Sequence, residues 1–321
     1  MQASHPNRIL LEISNLTKTY SGSDRPAVSN VSFCVEAGEI LGFVGLNGAG
    51  KTTTIRVATG LNKPSAGRVS IAGFDIVLDK VKASRNLGLV PEFPNFDPGA
   101  RALSLLRYFS GFHGQSGQQA NDRCSDLLEL VGLEEARELR FRSLSQGMKK
   151  RLALAVAMLG DPDVLLLDEV LNGLDPKGIV LVRDLMLRWR KEGKAVLLSS
   201  HLLNETQHVA DRVAIINDGR LVKILSRSEM ANDRTGVLRI SILDLDSSAM
   251  EYLATKGEAS RDGSTVWVSN PTAEAEEINS ELMKRGYHVR SISFESSGLE
   301  GLFLGLIAEP KSEASEDARG E

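Results

Sequence analysis

The sequence contains very little cysteine. Only Cys34 and Cys124 occur among the 321 residues, and neither has the spacing of a metal site or of a disulfide framework. Cys34 lies in an alternating Val-Ser-Phe-Cys-Val run, so we predict a small buried side chain on a β-strand. Such sparse cysteine is typical of a protein in a reducing compartment.

Long apolar runs and an excess of basic charge are also missing. No run approaches the roughly 20 apolar residues that span a bilayer, and residues 1–8 lack the apolar segment of a signal peptide. The chain is therefore expected not to cross a membrane by itself, although it can bind a membrane protein. A net charge of −4 disfavours nucleic-acid binding, which usually needs a basic face.

The rest of the composition is that of an ordinary globular protein whose 321 residues suggest about two domains. Up to about residue 225, apolar strands such as Ile40–Val44 and Leu87–Val90 alternate with helices, which predicts a mainly parallel sheet buried on both faces. Asn-Asp-Gly at 217–219 predicts a hairpin turn. After about residue 225 shorter strands and helices alternate, which predicts a small α+β domain at 236–309 whose last helix is 299–307. The acidic tail at 310–321 is expected to be disordered.

A glycine-rich loop follows the apolar segment Ile40–Val44 and opens a predicted helix at Lys51. Residues 45–53 read Gly-Leu-Asn-Gly-Ala-Gly-Lys-Thr-Thr, which fits a phosphate-binding loop in its strand–loop–helix context. Glycines let backbone N–H groups approach phosphate oxygens, and the helix N-terminus adds partial positive charge. Lys51 is expected to reach the β- and γ-phosphates, and Thr52 to offer its hydroxyl to Mg²⁺. A chance glycine-rich turn is the alternative.

Two carboxylates follow a second apolar strand, Val164–Leu167. Since ligands collect at the carboxyl ends of parallel strands, Asp168 is expected to hold Mg²⁺, directly or through water. Glu169 would then polarise the attacking water as general base. This pair alone is a weak signal, because an Asp-Glu pair at a strand end is common. With the phosphate loop upstream, the pair predicts nucleotide hydrolysis.

A third segment, Leu144–Arg151, precedes that strand. Ser145 is a natural N-cap for the helix that follows, which gives the chain a second helix N-terminus suited to phosphate. Alone, the segment would be an ordinary capped amphipathic helix. Its place between the phosphate loop and the two carboxylates favours the functional interpretation.

With these motifs in this order, the sequence resembles the ABC ATPase family over about residues 8–230. The resemblance implies an α/β P-loop NTPase with a RecA-like core, an antiparallel β subdomain and a helical subdomain. The ATPase domain would cover 8–225, its helical subdomain about 93–143, and the small α+β domain would follow. The matching motifs are Walker A at 45–53, the Q-loop at 88–92, the family signature at 144–148, Walker B at 164–169, the D-loop at 172–175 and the switch-histidine loop at 199–201.

The resemblance also implies roles for individual residues. Glu169, His201 and Lys51 are expected to be catalytic, and Mg²⁺ is expected to bind Thr52, Asp168 and Glu92. The expected ATP-binding residues are Tyr20, Gly45, Asn47, Gly48, Ala49, Gly50, Lys51, Thr52, Thr53, Glu92, Ser145, Gln146, Gly147 and Asp175. Tyr20 would stack on adenine; an ordinary exposed aromatic is the alternative. His201 could instead be a structural histidine, and Glu92, where glutamine is usual, could act mainly as a hinge.

Within the family, the sequence looks like the branch that serves ABC-2-type exporters. Gln146 and Met148 in the signature, Glu92 and the C-terminal domain are similar to that branch. Val170-Leu171 departs from the family, because Pro-Thr usually follows the glutamate. This departure is expected to alter loop stiffness or hydrolysis rate without removing a phosphate ligand.

The resemblance implies a head-to-tail dimer, most simply a homodimer, with each ATP between 45–53 of one chain and 144–147 of the other. An ABC-2-type transmembrane permease is the expected partner, docked beside Glu92 at Phe93 and Phe96, and nucleic acid is not expected. The chain would be cytoplasmic and peripheral on the membrane. The alternatives are a soluble ABC protein acting on ribosomes or DNA, or an ATP-binding module without hydrolysis. A single cassette without a long heptad run disfavours the first, and Asp168, Glu169 and His201 disfavour the second.

Overall fold

The computed structural model describes residues 8–231, 236–269 and 271–296, together with Leu299, Gly301, Phe303 and Leu306. The chain divides into two compact units, one ending at Ser226 and one beginning at Arg227. The tail predicted to be disordered, 310–321, and most of the helix predicted at 299–307 lie outside the described residues. Among the residues that the structure describes, there is no helix with both the length and the apolar character needed to cross a membrane.

The first unit contains ten strands and seven α-helices within residues 8–226. Its strands are β1 (Ile9–Lys18), β2 (Val28–Glu36), β3 (Ile40–Val44), β4 (Ala66–Ile71), β5 (Phe74–Asp75), β6 (Leu87–Val90), β7 (Val164–Asp168), β8 (Ala195–Ser200), β9 (Arg212–Asn217) and β10 (Arg220–Ser226). Its helices are α1 (Lys51–Ala58), α2 (Lys80–Arg85), α3 (Ala102–Gly111), α4 (Gly117–Leu130), α5 (Gln146–Ala157), α6 (Pro176–Lys191) and α7 (Leu203–Val209).

A six-stranded sheet forms the centre of this unit, in the order β10-β9-β3-β8-β7-β6. Strands β6, β7, β8, β3 and β9 run parallel, and only β10 pairs antiparallel, through the hairpin predicted at 217–219. Every residue of β3, β7 and β8 is buried. These strands are apolar up to their carboxyl ends, where β7 ends in Asp168 and β8 in two serines, because helices or a second sheet cover both faces, as their sequence predicted.

The two faces of the sheet belong to different hydrophobic clusters. Leu165 and Leu167 pack with α3, α4, α5 and α6, whereas Leu166 packs with α1 and with a second sheet. That second sheet has the order β2-β1-β4-β5, and its described pairs are antiparallel. Because side chains alternate along a strand, one leucine-rich segment supplies both clusters.

The segment between β6 and β7 is helical and has its own aromatic cluster. Phe96 makes edge-to-face contacts with Phe109 and Phe141, with ring centroids 5.3 Å apart in each pair. Phe96 therefore packs against the hydrophobic core of this segment. Phe93 is exposed and Phe96 is half-buried, so a partner contact at these two rings stays a prediction. Cys34, half-buried on β2, and Cys124, buried on α4, are both free thiols.

The second unit is an antiparallel sheet with two helices packed on one face. It contains α8 (Arg227–Ala231), β11 (Gly236–Ile242), α9 (Ser247–Ala254), β12 (Glu258–Asp262), β13 (Thr265–Ser269), α10 (Ala275–Lys284) and β14 (Val289–Ser296). The sheet order is β12-β13-β11-β14, and α9 and α10 pack their apolar faces on the buried side chains of β11 and β13. From β11 onward this is the βαββαβ, ferredoxin-like arrangement. Strand β12 was not predicted, because its residues, Glu-Ala-Ser-Arg-Asp, show no apolar alternation.

Candidate nucleotide-binding and catalytic site

The carboxyl ends of three neighbouring parallel strands lie side by side at one edge of the six-stranded sheet. Val44 at the end of β3 pairs with Ser200 of β8, and Ser199 of β8 pairs with Asp168 at the end of β7. A cleft of about 370 Å³ lies at this edge. Its walls are Ala27, Asn47, Gly48, Gly50, Lys51, Thr52, Thr53, Glu92, Glu169 and His201. Ligands of parallel sheets bind at such an edge.

The glycine-rich loop that follows β3 has the backbone its composition predicts. Gly48 and Gly50 adopt φ values of 82° and 108°, which residues with a Cβ rarely adopt. Gly45 is constrained sterically instead, because a Cβ there would lie 2.3 Å from the carbonyl oxygen of Ile216. The loop then opens directly into α1 at Lys51, whose unpaired N-terminal N–H groups suit an anion.

Lys51 is almost fully buried beneath this loop, with a side-chain exposure of 6%. Its Nζ donates to the carbonyl oxygens of Gly45 at 2.7 Å and Leu46 at 3.2 Å. The same Nζ lies 3.4 Å from Oε1 of Glu169. The Lys51 ammonium group is thereby held between the loop and the acidic end of β7, where it can bind a phosphate group.

Asp168 lies at the end of β7, buried and hydrogen-bonded. Its Oδ1 accepts from the hydroxyls of Ser199 at 2.7 Å and Thr52 at 3.5 Å. Burial raises the pKa of Asp168, and the hydrogen bonds from Ser199 and Thr52 oppose that rise. The hydroxyl of Thr52 and this carboxylate are adjacent hard oxygen donors. Such a donor pair fits Mg²⁺, which proteins usually hold through one or two carboxylates together with substrate phosphates and water.

Glu169 adopts an unusual backbone conformation, with φ of 48°. Its N–H donates to the carbonyl oxygen of Ser199 at 3.0 Å. Its Oε2 accepts from the backbone N–H of His201 at 3.3 Å and from Nδ2 of Asn172 at 3.0 Å, and lies 3.0 Å from Nδ1 of His201. A buried carboxylate with this many partners is held in one orientation at the wall of the cleft.

Tyr20 and Glu92 lie at two ends of the predicted site. The Tyr20 hydroxyl is 3.4 Å from Oγ1 of Thr53 and accepts from Nδ2 of Asn62 at 3.0 Å. Tyr20 is 39% exposed, and Nζ of Lys18 lies over its ring, 5.3 Å from the centroid. Glu92 lines the cleft and also borders a neighbouring groove of about 230 Å³. The other wall of that groove includes Ile55, Leu61 and Phe93.

Seven of the residues predicted to bind ATP do not line this cleft. Gly45 and Ala49 belong to the phosphate loop itself, and Tyr20 contacts Thr53. The other four are Ser145, Gln146, Gly147 and Asp175. Ser145 is the N-cap of α5, as predicted, and its Oγ accepts from the N–H of Met148 at 3.2 Å. Asp175 caps α6 in the same way, accepting from the N–H of Gly178 at 3.0 Å. Within one chain, the structure therefore does not bring these four residues to the phosphate loop.

Two residues beside Glu169 were missed by the sequence analysis. Asn172 was expected to belong to the D-loop, and its amide contact with the Glu169 carboxylate was not foreseen. Lys150 of α5 is buried, and its Nζ donates to the backbone carbonyl oxygen of Glu169 at 2.5 Å. Burial lowers the pKa of Lys150, while the nearby Glu92, Glu169 and Asp168 raise it. A lysine on the buried face of α5, one turn before Leu154, was the available signal.

Val170 and Leu171, where the family usually has Pro-Thr, are 0% and 2% exposed. Both side chains join the cluster that includes α5 and α6. The departure from the family pattern therefore places two apolar side chains in the core, immediately after Glu169.

The sheet topology, the phosphate loop and the paired strand-end carboxylates define a P-loop nucleoside triphosphatase. The ABC transporter family matches residues 28–172 of the chain. An uncharacterized ABC transporter ATP-binding protein of Bacillus subtilis is 33% identical over 306 residues, which covers 93% of this chain and 97% of that protein. The daunorubicin/doxorubicin resistance ATP-binding protein of Streptomyces peucetius is 31% identical over 329 residues, an alignment that covers 99% of this chain and 98% of that protein.

Solved structures agree with this assignment. An ATP-binding subunit of an ABC transporter superposes with a TM-score of 0.64 at 29% identity, covering 69% of this chain and 91% of that one. A dimeric ATP-binding cassette bound to ADP and Pi gives a TM-score of 0.62 at 26% identity, covering 68% and 99%. The chain belongs to the family of ABC transporter ATP-binding proteins. It is an ATPase, and the predicted P-loop fold class is confirmed.

Proposed function

We propose that this ATPase powers export through a separate ABC-2-type permease, working as a dimer on the cytoplasmic face of the membrane. The observation that carries the proposal is that the nucleotide cleft and an exposed apolar groove share Thr52 and Glu92 in their walls. A partner helix seated in the groove would therefore act directly on the nucleotide site. Relatives named for drug resistance and for Nod factor export support the export direction.

ATP binding would rest on the phosphate loop. The backbone N–H groups of 45–50, the N-terminus of α1 and the Lys51 ammonium would share the charge of the phosphates. Tyr20 would stack on the adenine. Thr52 and Asp168 would hold Mg²⁺ with Glu92 nearby, and the bound ion would supply further positive charge against the phosphate oxygens.

Hydrolysis would be carried by Glu169. Its carboxylate would accept a proton from water, whose oxygen attacks the γ-phosphorus as the bond to the bridging β–γ oxygen breaks. His201 and Asn172, both 3.0 Å from Oε2, would keep the carboxylate aimed at that water. Lys51, 3.4 Å from Oε1, would stabilise the charge that develops on the transferred group.

The second half of each ATP site would come from a second copy of the chain. Ser145 and Gly147 at the start of α5 do not line their own cleft, but they present a capped helix N-terminus that suits a phosphate. Two such chains arranged head to tail would enclose two ATP molecules. The structural relative described as a dimer bound to ADP and Pi supports a dimer of cassettes.

The catalytic assignment is tested by Glu169→Gln. The variant is expected to bind ATP with an affinity within about two-fold of wild type and to lose at least about 100-fold in kcat, because an amide cannot accept the proton. Phosphate release and binding of a fluorescent ATP analogue are the measurements. Glu192→Gln, on the exposed end of α6, serves as the control. Near wild-type turnover by Glu169→Gln would exclude this carboxylate as the base.

The permease contact is tested at Phe93, which is 71% exposed and borders the groove. Phe93→Ala is expected to reduce transport and permease-stimulated ATPase activity by about ten-fold while basal ATP affinity stays unchanged, because an exposed aromatic anchor is lost. Phe112→Ala, which removes an equally exposed ring that does not line the groove, is the matched control. A loss of ATP affinity in Phe93→Ala, or equal transport defects in both variants, would contradict the assignment.

A further inference from the structure

The backbone carbonyl of Glu169 is held by a buried lysine from another helix. Nζ of Lys150 donates to this oxygen at 2.5 Å, and the N–H of Asn172 donates to it at 3.2 Å. Both acceptor positions of the carbonyl are thus used. Together with the bond from its N–H to Ser199, every backbone polar group of Glu169 has a partner on a different segment.

The geometry needs this support because Glu169 has a φ of 48°. A residue with a Cβ is disfavoured in this left-handed region and stays there only when its surroundings fix it. The turn that this conformation creates sets the direction in which the Glu169 side chain leaves β7. A change in the backbone at Glu169 would therefore move the carboxylate relative to His201 and Lys51, which lie within 3.0 and 3.4 Å of it.

Lys150 is suited to this task by its burial and its charged neighbours. Its exposure is 4%, so the ammonium group cannot satisfy its donors with bulk water. Glu92, Glu169 and Asp168 are the acidic groups close enough to act on its charge. Of these, Glu92 and Glu169 also line the nucleotide cleft. The Lys150 ammonium is therefore stabilised by the carbonyl and carboxylate groups at the end of β7 and not by water.

We propose that Lys150 is a positioning residue for hydrolysis, acting through the backbone of Glu169 rather than on the nucleotide itself. It joins the helix that begins at Ser145 to the turn that carries the general base. Since α5 is the helix whose N-terminus would face the second chain, Lys150 also connects the dimer interface to the carboxylate. The inference rests on the proposed role of Glu169 as base.

The experiment compares Lys150→Met, which keeps an unbranched side chain of nearly the same length and removes the donor, with Lys194→Met. Lys194 is the matched control, because its Nζ also donates to a backbone carbonyl, that of Pro162 at 2.9 Å, and it does not line the cleft. Lys150→Met is expected to lose about 10- to 100-fold in kcat with the Kd for ATP within about two-fold of wild type, since misplacing a catalytic group slows chemistry more than binding. Lys194→Met is expected to keep kcat within about two-fold.

Lys150→Gln, which keeps a donor on a shorter side chain, is expected to give an intermediate kcat and decides the question if Lys150→Met does not fold. Wild-type kcat in the folded variant, or a loss of ATP affinity that matches the loss of kcat, would overturn the proposal. Glu169→Gln is measured alongside. If Glu169→Gln is inactive while Lys150→Met is normal, only the role of Lys150 fails; if Glu169→Gln is active, the general base itself is wrong.

Discussion

Gly45 and Gly48 of the phosphate loop are needed for different physical reasons, and substitution of each by alanine distinguishes the two reasons. Gly45→Ala would bring a Cβ to 2.3 Å from the backbone oxygen of Ile216, which cannot move aside as a side chain could. A Cβ at Gly48 would meet nothing within 4 Å, so Gly48→Ala suffers only the unfavourable φ of 82°. We expect Gly45→Ala to abolish ATP binding and Gly48→Ala to weaken it by no more than about ten-fold.

Isothermal titration with ATP and thermal unfolding of both variants check this prediction. Gly73→Ala, at another open position with φ of 86°, is the control for the conformational cost alone. Equal ATP affinities for Gly45→Ala and Gly48→Ala would contradict the steric explanation.

The sequence was informative about side chains whose chemistry repeats as a short motif. Lys51, Thr52, Asp168 and Glu169 meet at one edge of the sheet because each follows directly on a strand or opens a helix. The partners that fix Glu169 were not predictable in the same way. The contact from Lys150 spans 19 residues of sequence and depends on a backbone conformation that the residue type of Glu169 disfavours.

At the level of helices, the negatively charged residue at the N-terminus of α9 makes the stability of the second unit depend on pH. Asp246 caps α9 and accepts from the N–H of Ala249 at 2.9 Å and from the Tyr287 hydroxyl at 2.8 Å. The backbone hydrogen bond from Ala249 is the largest cause that lowers the pKa of Asp246 below its ordinary 3.8, followed by the bond from Tyr287. Because the folded state binds this proton more weakly than the unfolded chain, the charged cap stabilises the fold above the ordinary pKa.

Asp246→Ala is therefore expected to lower the stability of the second unit at neutral pH. The difference from wild type should shrink as the pH falls below 3.8 and through the lowered pKa of the folded state. Asp246→Asn keeps the acceptor without the charge and is the control. Urea denaturation at about pH 7 and about pH 3, monitored by tryptophan fluorescence, measures the free energy of unfolding of each variant. Equal stability of Asp246→Ala and wild type at about pH 7 would contradict the role of the charged cap.

Whole elements were predictable where burial makes their sequence distinctive. The bounds Ile40–Val44 and Leu87–Val90 agree with the structure, because both segments are apolar from end to end and are flanked by turn residues or polar residues. The polar strand β12 and the short helix α2, with one buried residue, were missed. Their formation depends on neighbouring strands, through the pairing of β12 with β13 in the one case and packing beside β5 in the other.

For the assembled molecule, the proposed dimer should depend on unhydrolysed ATP. Glu169→Gln with Mg²⁺ and ATP is expected to have twice the mass of one chain by light scattering, and the mass of one chain without ATP. Adding Ser145→Arg should prevent the dimer, because a long cation would occupy the start of α5 where the second nucleotide is expected. Ser116→Arg, at the N-cap of α4, is the control and should leave the dimer intact.

A dimer that persists in the double variant with Ser145→Arg would place the interface elsewhere on the chain. Thermal unfolding of that variant is measured as well, because loss of the Ser145 cap is expected to cost about 1 kcal/mol of stability. A dimer lost only together with folding would show that the cap, and not the interface, had failed.

At the same scale, alternation of strands and helices predicted the central sheet and the change of pattern near residue 225. The first compact unit ends at Ser226 and the second begins at Arg227. The order of the strands was not available from the sequence, because strands far apart in the chain pair with each other, as β1 does with β4. The ferredoxin-like order of the second unit likewise required β12, which no pattern in the sequence indicates.

The strand order also has a consequence for how the chain matures on the ribosome. The phosphate loop emerges early, after β3, but β8 lies between β3 and β7 in the sheet and is synthesised after both. Until residues 195–201 have left the exit tunnel, the two halves of the cleft have no strand to join them. A nascent chain that already displays its glycine-rich loop therefore still lacks the strand that places Asp168 and Glu169 beside it, and the cleft forms only when the first unit is nearly complete.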